Sequence, residues 1–483
     1  MDRVKLELTS LWQQAGLPSE ALQRLTLTGQ DPVLPSSFAV GAAAQASIAA
    51  AALAATQVGL LRGMPAHTVS VNMEHAALEC LTHFAIDGRV PDIWDKYSGT
   101  YRAQDGWVRI HANFAHHRDG ALTLLGLKAG DGTSKAGVER ALQTWRAQDF
   151  EQAAAQQGLV VAALRTHAQW QAHPQAAALA EQPLIAIENI ASTEIFHCAS
   201  GQLASQNQRW SAPQQSLGGK PALPLQGLRV LDLTRILAGP ICGRALAAYG
   251  ADVLLINAPH LPNIEAIADT SRGKRSAQLD LRTAEGKAVL RQLIAGADIF
   301  VQGYRPGALQ ALGFGPEELA AMNPHIVVVS LSAYGGTGPW AQRRGFDSLV
   351  QTATGFNADE SAAAGLNLAT DAPRALPMQI LDHATGYLMA FAALTALVKQ
   401  KERGGAHHVR LSLARTGQWL RSLGRVDNGF GIAKPSVEPY LYTEPSGFGQ
   451  LTGLTHSARL SGAQLKWALP AVPPGTHSPE WAL

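Results

Sequence analysis

Cysteine is scarce. The 483 residues include three, Cys80, Cys198 and Cys242, far apart and without a CxxC pair, so the spacing signals neither a zinc site nor a disulfide framework, and a reducing compartment is expected. Net charge is nearly absent as well. The 39 Lys and Arg against 37 Asp and Glu leave a formal +2, which argues against DNA or RNA as the main partner. Charged residues make up 16% of the chain and hydrophobic ones 46%, against roughly 25% charged in an average globular protein. Such a chain can bury large cores, and its length calls for two or more compact units. The start, Met1-Asp2-Arg3-Val4-Lys5-Leu6-Glu7, lacks the uninterrupted apolar stretch of an ordinary secretory signal, and a cytoplasmic location is expected.

Charge is also missing between Asp31 and Arg62. The run 38–61 is long enough to span a bilayer if helical. Alanine dominates it, and Gln45, Ser47, Thr56 and Gln57 interrupt it, so a buried helix in a folded domain is expected and a membrane partner is not.

Residues 199–227 are rich in Gln, Ser, Gly and Pro and read as a linker. The boundary is placed near residue 216, giving units 1–215 and 216–483. Beyond it, short apolar strands alternate with helices: a strand at 228–234, a helix from about 238 to 249, a strand at 252–256, a helix at 283–295 capped by Thr283 with Glu285 in its first turn, a strand at 298–301, a helix starting at Pro316, and a strand at 325–330. This pattern implies right-handed crossovers and an α/β fold with a doubly wound, mainly parallel sheet, with ligands at the carboxyl ends of the strands. A second, smaller α+β domain is expected beside it.

The dinucleotide fingerprint is absent. The first strand runs into Ala238-Gly239-Pro240-Ile241-Cys242-Gly243, which contains no GxGxxG, so a nicotinamide enzyme is disfavoured. Gly239 lets a ligand approach the backbone and Pro240 suits a first helical turn, so this helix start can receive a phosphate or serve as a plain tight turn. A weak repeat relates 48–75 to 388–415: an Ala/Leu-rich helix, Arg-Gly, Ala-His-x-Val and an alternating strand, in constant register.

The succession LRVLDLTRILAGP (228–240), YGADVLLIN (249–257), RGKRSAQLDLRTAEGKAVLRQLIAGADIFVQGYRPGALQALGFGPEEL (272–319), NPHIVVVSLSAYGGTGPW (323–340) and ILDHATGYLMAFAALTAL (380–397) resembles the class III CoA-transferases, also called CaiB/BaiF. The likeness covers about residues 226–415. Within 1–215, YRAQDGWV (101–108), Trp145, Phe150, Gly158 and His173-Pro174-Gln175 resemble the family's small domain, which in ordinary members follows the catalytic half. The chain thus resembles a fusion of two rearranged family units.

The resemblance implies a CoA-transferase, a transferase of sulfur-containing groups, moving CoA from an acyl-CoA to a carboxylic acid. It places the catalytic aspartate on Asp382; local sequence alone would make Asp382 a helix cap, and a helix start lowers a carboxylate's pKa. CoA contacts are implied on Arg235, Ile236, Leu237, Ala238, Leu279, Arg282, Tyr304, Ala308, Arg344 and Phe346. Acyl-CoA and a small acid are the implied partners, with CoA as substrate, no permanently bound cofactor, no metal, and a homodimer. Ala258, Gly303 and Ala311 depart from the family pattern, and Lys274 and Arg275 are the candidate replacements for lost cations. The racemase branch carries His before Asp where this chain reads Phe346-Asp347. Phe cannot carry a proton, so α-proton exchange is disfavoured; Asp347 is expected to cap a helix or to hydrogen-bond the CoA pocket. An acyl-CoA racemase and a non-catalytic CoA-binding paralogue remain the alternatives. His111, His116 and His117 match no standard metal spacing and are expected on a substrate-facing or surface loop. The stretch around Trp467 is expected to be structural.

Overall fold

The computed structural model describes residues 3–191, 210–211 and 222–482. Cys198, most of the expected linker and the expected boundary at 216 lie outside the described residues.

Among the described residues, the main sheet has seven strands: β1 (Ala186–Ala191), β2 (Arg229–Leu233), β3 (Asp252–Asn257), β4 (Lys274–Gln278), β5 (Ile299–Gln302), β6 (Val327–Ser332) and β7 (Ala406–Ser412). Their order is β4-β3-β2-β5-β6-β7-β1. All neighbours are parallel except β7 and β1. Counted from β2 the parallel strands run 3-2-1-4-5-6, the doubly wound order, with its reversal between β2 and β5. Residues such as Val253, Leu254, Leu255, Val327, Val328 and Val329 are buried, as strands covered on both faces require. The α/β expectation is met, and the helix at 283–295 starts as read, with the Thr283 hydroxyl accepting from Gly286 N at 3.0 Å. Strand β4 carries no apolar signal in the sequence, because KRSAQ looks polar. Lys274 is fully buried there, donating to Asp232 Oδ2 at 2.9 Å and to Pro240 O at 2.7 Å.

Three helices build the centre: α1 (Val40–Leu61), α2 (Ala238–Ala248) and α4 (Ile380–Arg403), with the short α3 (Asp347–Ala353) preceding α4 in the chain. Helices α1 and α4 are long and apolar enough to cross a membrane, yet they pack on each other and α4 packs on α2. In α1 everything but the last two residues is buried, as expected for the run 38–61. Alanine makes this possible, because small side chains let backbones approach closely.

The two halves of the chain interleave. Strand Leu25–Thr28 pairs with Val69–Asn72, which pairs with Ala458–Leu460; Phe84–Ile86 pairs with Gly449–Leu454; and β1 extends the main sheet. The stretch 97–163 has its own core, with Tyr97, Tyr101, Val108 and Phe150 over strands Gly99–Arg102, Trp107–Ile110 and Val161–Ala163. This is the smaller α+β unit. The rest of 3–191 is built into the main body, because a helix as apolar as α1 needs the second half to cover it.

The repeat, spaced by 340 residues, reaches further than its sequence signal. The residues before α1 and α4, Ala39 and Gln379, share φ near −75° and −79° and ψ of 59°. The side chains of Asn72 and Ser412 each accept from the backbone N three residues on, at His75 and Arg415. Asp31 accepts from Gly41 N and Ala42 N at 3.2 and 3.0 Å. Asp347 does the same for Leu381 and Asp382. Ala42 therefore stands where α4 has Asp382, and the first copy keeps the capped helix start without the carboxylate. Asp31→Ala is expected to cost roughly 0.5–2 kcal/mol, the value of a lost cap, in denaturant unfolding, and to leave any activity centred on Asp382 unchanged.

Candidate active site

The site forms at the carboxyl edge of the sheet, where β2 and β5 part. After β2 the chain turns through Thr234-Arg235-Ile236-Leu237 into α2. Ile236 has φ +79°, a conformation that is a genuine outlier for a β-branched residue and marks stored strain. Gly239 is obligatory, since a Cβ there would lie 2.4 Å from Thr234 Cβ. Pro240 falls on the third helical residue, and Leu237 gives α2 no side-chain cap, so the amide-rich end of α2 opens beside Arg235 and Ala238.

A cavity of about 330 Å³ lies over this edge. It gathers Arg235, Ile236, Leu237, Ala238, Tyr304, Ala308, Arg344, Phe346 and Asp382 from the sequence-derived set. Phe114, His116, His117 and Val160 of the smaller unit form its opposite wall. His116 and His117 thus face the cavity, as the substrate-facing placement expected, but from the first turn of helix Ala115–Leu124 and not from a loop, and His111 does not line this cavity. Among the described residues, Arg235, Arg305 and Arg344 have no carboxylate partner. Arg235 instead lies over the Phe114 ring, 5.2 Å from its centroid, and Arg344 donates to Gly158 O at 3.0 Å. Burial lowers the pKa of Arg235, and burial together with Arg305 lowers that of Arg344. Three unneutralised guanidiniums at an open helix start make a site for an anion.

Asp382 sits in the first turn of α4, 7% exposed, and also lines a second cavity of about 180 Å³. Ile236, Leu237, Phe346 and Asp382 are common to both cavities. Among the described residues no donor reaches the Asp382 carboxylate. Asp347 beside it is fully buried and is held by Asp382 N at 2.9 Å and Gln351 Nε2 at 2.5 Å. Asp347 is thus the cap of α4, one of the roles expected for it, and Asp382 is not. Burial pushes Asp347 up to about 7, against the pull of its donors. Burial and then the Asp347 charge push Asp382 well above the carboxylate range. The expectation that a helix start keeps Asp382 low in pKa is overturned, because desolvation and a like charge outweigh the dipole. Two carboxyls this close share a proton, and Asp347, with its amide donors, is the better holder of the negative charge.

Gly386, one turn on, faces α2. A Cβ there would meet Ala238 O at 2.5 Å and Ile241 Cβ at 2.8 Å, so the glycine sets how deeply Asp382 is seated. Gly386→Ala is expected to cost about 1–3 kcal/mol by overpacking, read as a lower Tm.

Some expected residues lie elsewhere. Leu279, past the end of β4, is buried in a separate cluster with Leu290 and Ile256. Arg282 is paired with Asp280 at 2.6 Å and exposed. Neither lines the cavity. Lys274 and Arg275 do not replace a phosphate-binding cation, since Lys274 is consumed by Asp232 and Arg275 by Asp252 at 3.0 Å. Trp467 is structural as expected, lying over Arg272 with 4.1 Å between guanidinium and ring centroid.

A family profile described as CoA-transferase family III matches residues 225–425. That segment belongs to CoA-transferase family III. A probable fatty acyl-CoA transferase of Mycobacterium tuberculosis is 34% identical over 207 residues, 40% of this chain and 51% of the relative. A succinate–glutarate CoA-transferase of Agrobacterium fabrum is 32% identical over 249 residues, 45% of this chain and 60% of the relative. A solved CaiB/BaiF family protein of Brucella suis is 29% identical, covering 48% of this chain and 65% of that one, with a TM-score of 0.37. The chain spans about half the length of the curated relatives it matches.

The family III segment supplies the six parallel strands of the sheet, α2 and Asp382, while β1 comes from outside it. Of the residues that sequence reasoning missed, Arg305 lies within it, whereas Phe114, Val160, Trp94 and Asn113 come from outside it. The aromatic and histidine density of 107–117 is a visible signal for Asn113 and Phe114 alone, and nothing local shows that this segment folds back over residue 382.

Proposed function

We propose that the protein transfers CoA between two carboxylic acids through Asp382. The Asp382 carboxylate attacks the acyl-CoA carbonyl, forming a mixed anhydride and releasing CoA thiolate. The thiolate attacks the aspartyl carbonyl, giving an aspartyl-CoA thioester and freeing the donor acid. The acceptor carboxylate then attacks that thioester, again releasing thiolate, which takes the acceptor's acyl group and restores Asp382. Each step trades one activated acyl bond for another, so the site must chiefly keep water out.

The observation that carries this reading is the position of Asp382: nearly buried, reached by no donor among the described residues, and at the junction of a cation-lined cavity with one that has no Lys or Arg in its lining. A carboxylate stripped of water is a better nucleophile than a solvated one, and the unpaired Arg235, Arg305 and Arg344 suit the phosphates of CoA. A cytoplasmic setting belongs to the same proposal and is supported by Cys80 and Cys242, both free and buried. So does quaternary structure: the resemblance implies a homodimer, whereas the repeat already pairs α1 with α4 within one chain, and light scattering separates a 51.1 kDa species from its double. The activity test is to mix an acyl-CoA with a different free acid and follow the second acyl-CoA by liquid chromatography. Its enzyme-dependent appearance, without net hydrolysis, is the expected result, and hydrolysis alone or no reaction would refute the proposal.

A further inference from the structure

The second cavity is small and unlike the first. Nine of its sixteen lining residues are apolar, Leu81, Ile93, Trp94, Ile264, Phe346 and Met378 among them, and none is Lys or Arg. His111 stacks on Phe346 at 3.9 Å between ring centroids, and burial holds its pKa down to about 3, so it brings no charge at neutral pH. Arg109 does not line the cavity; it lies over the Trp94 ring at 5.4 Å and is engaged electrostatically by Asp347. Of the polar groups at the wall, Thr82 is bonded to His383 at 2.8 Å, and Asn113 donates to Ile93 O at 2.8 Å while accepting from Asp95 N and Ser98, whereas His111 Nδ1 and the Ser348 hydroxyl are buried without a partner among the described residues.

Resting on the transferase reading, we infer that this cavity holds the acyl portion of donor and acceptor, and that the acids handled are compact monocarboxylic acids with apolar or aromatic side groups, not dicarboxylic acids. The reacting carbon must lie at Asp382, which both cavities share. The phosphate-bearing part of CoA belongs in the wider cavity with its unpaired guanidiniums, which leaves the smaller one for the acyl group. A second carboxylate there would meet no cation in the lining and would face the Asp347 carboxyl, both of which disfavour a charge. An aliphatic or aromatic group loses nothing by the same transfer and gains from contact with Trp94 and Phe346. Ser348, whose buried hydroxyl has no partner, leaves room for one neutral polar substituent.

The test is a panel of acceptors of matched length against one acyl-CoA donor: butyrate, benzoate and 3-phenylpropionate beside succinate, glutarate and the monomethyl ester of succinate. The monoacids and the neutral ester are expected to exceed the diacids in kcat/KM by 100-fold or more. In Met378→Lys, checked for folding by its Tm, that ratio is expected to fall at least tenfold. Succinate or glutarate matching the monoacids in the unaltered protein would overturn the inference while leaving CoA transfer standing. No transfer to any acid would overturn both.

Discussion

Asp382→Asn is expected to abolish CoA transfer while making the protein more stable above neutral pH. The loss should be about 10⁴-fold or more in kcat, the scale on which removal of a covalent nucleophile is felt. The gain in stability follows from the raised pKa of Asp382. In the folded chain this acid holds a proton that the unfolded chain has already released once pH exceeds about 4. The folded state therefore binds more protons, and stability declines as pH climbs from the ordinary carboxylate range through the raised value. Asn cannot ionise, so the variant escapes that decline. Its Tm should match the parent's near pH 4 and exceed it at pH 8. Transfer by the parent should rise with pH over the same interval, as the Asp347–Asp382 pair sheds its shared proton. A variant that lost both activity and stability at pH 8 would show that Asp382 is structural.

Arg244→Met carries the second large effect, and it falls on stability. Arg244 is 1% exposed and is paired with Asp269 and, at 3.8 Å, with Glu79. Burial alone would raise the pKa of Glu79, but His456, Arg244 and the Tyr387 hydroxyl together hold it down to about 2. His456 is itself lowered to about 4, chiefly by burial, so at neutral pH it is uncharged and Arg244 and Tyr387 do the holding. The cluster joins the first half through Glu79, α2 through Arg244, α4 through Tyr387 and the C-terminal region through His456, and Ser457 N donates to Glu79 Oε2 at 2.7 Å. Met fills similar space but leaves Glu79 without its cation and Asp269 with Arg272 alone, and breaking such a buried pair costs about 3–5 kcal/mol. Denaturant unfolding at pH 7 measures it. Arg244→Lys should recover part of the loss, whereas equal losses in both would point to packing in place of charge.

Much of this architecture is legible locally. Buried parallel strands announce themselves as short apolar runs, and a residue such as Thr283 before a helix reveals its cap. Strand β4 is hidden because its burial is purchased by an ion pair, Lys274 with Asp232, that lies across two strands. The candidate nucleophile could be placed by resemblance, but its chemistry could not be read: a helix start points to a low pKa, and only the fold shows that Asp347, 35 residues earlier, crowds it. The far wall of the site is the hardest part to read, since the segments holding Phe114, His117 and Trp94 are more than 200 residues away and nothing in their local pattern ties them to residue 382. The repeat is the opposite case: a faint sequence signal whose structural echo, down to matching helix-start angles and paired caps, is unmistakable.

The most direct measurement of the central claim is to incubate the protein with an acyl-CoA, quench with hydroxylamine or borohydride, and map the modification by peptide mass spectrometry. Modification confined to Asp382 is the predicted result. Labelling of another residue, or none with any donor, would contradict the account.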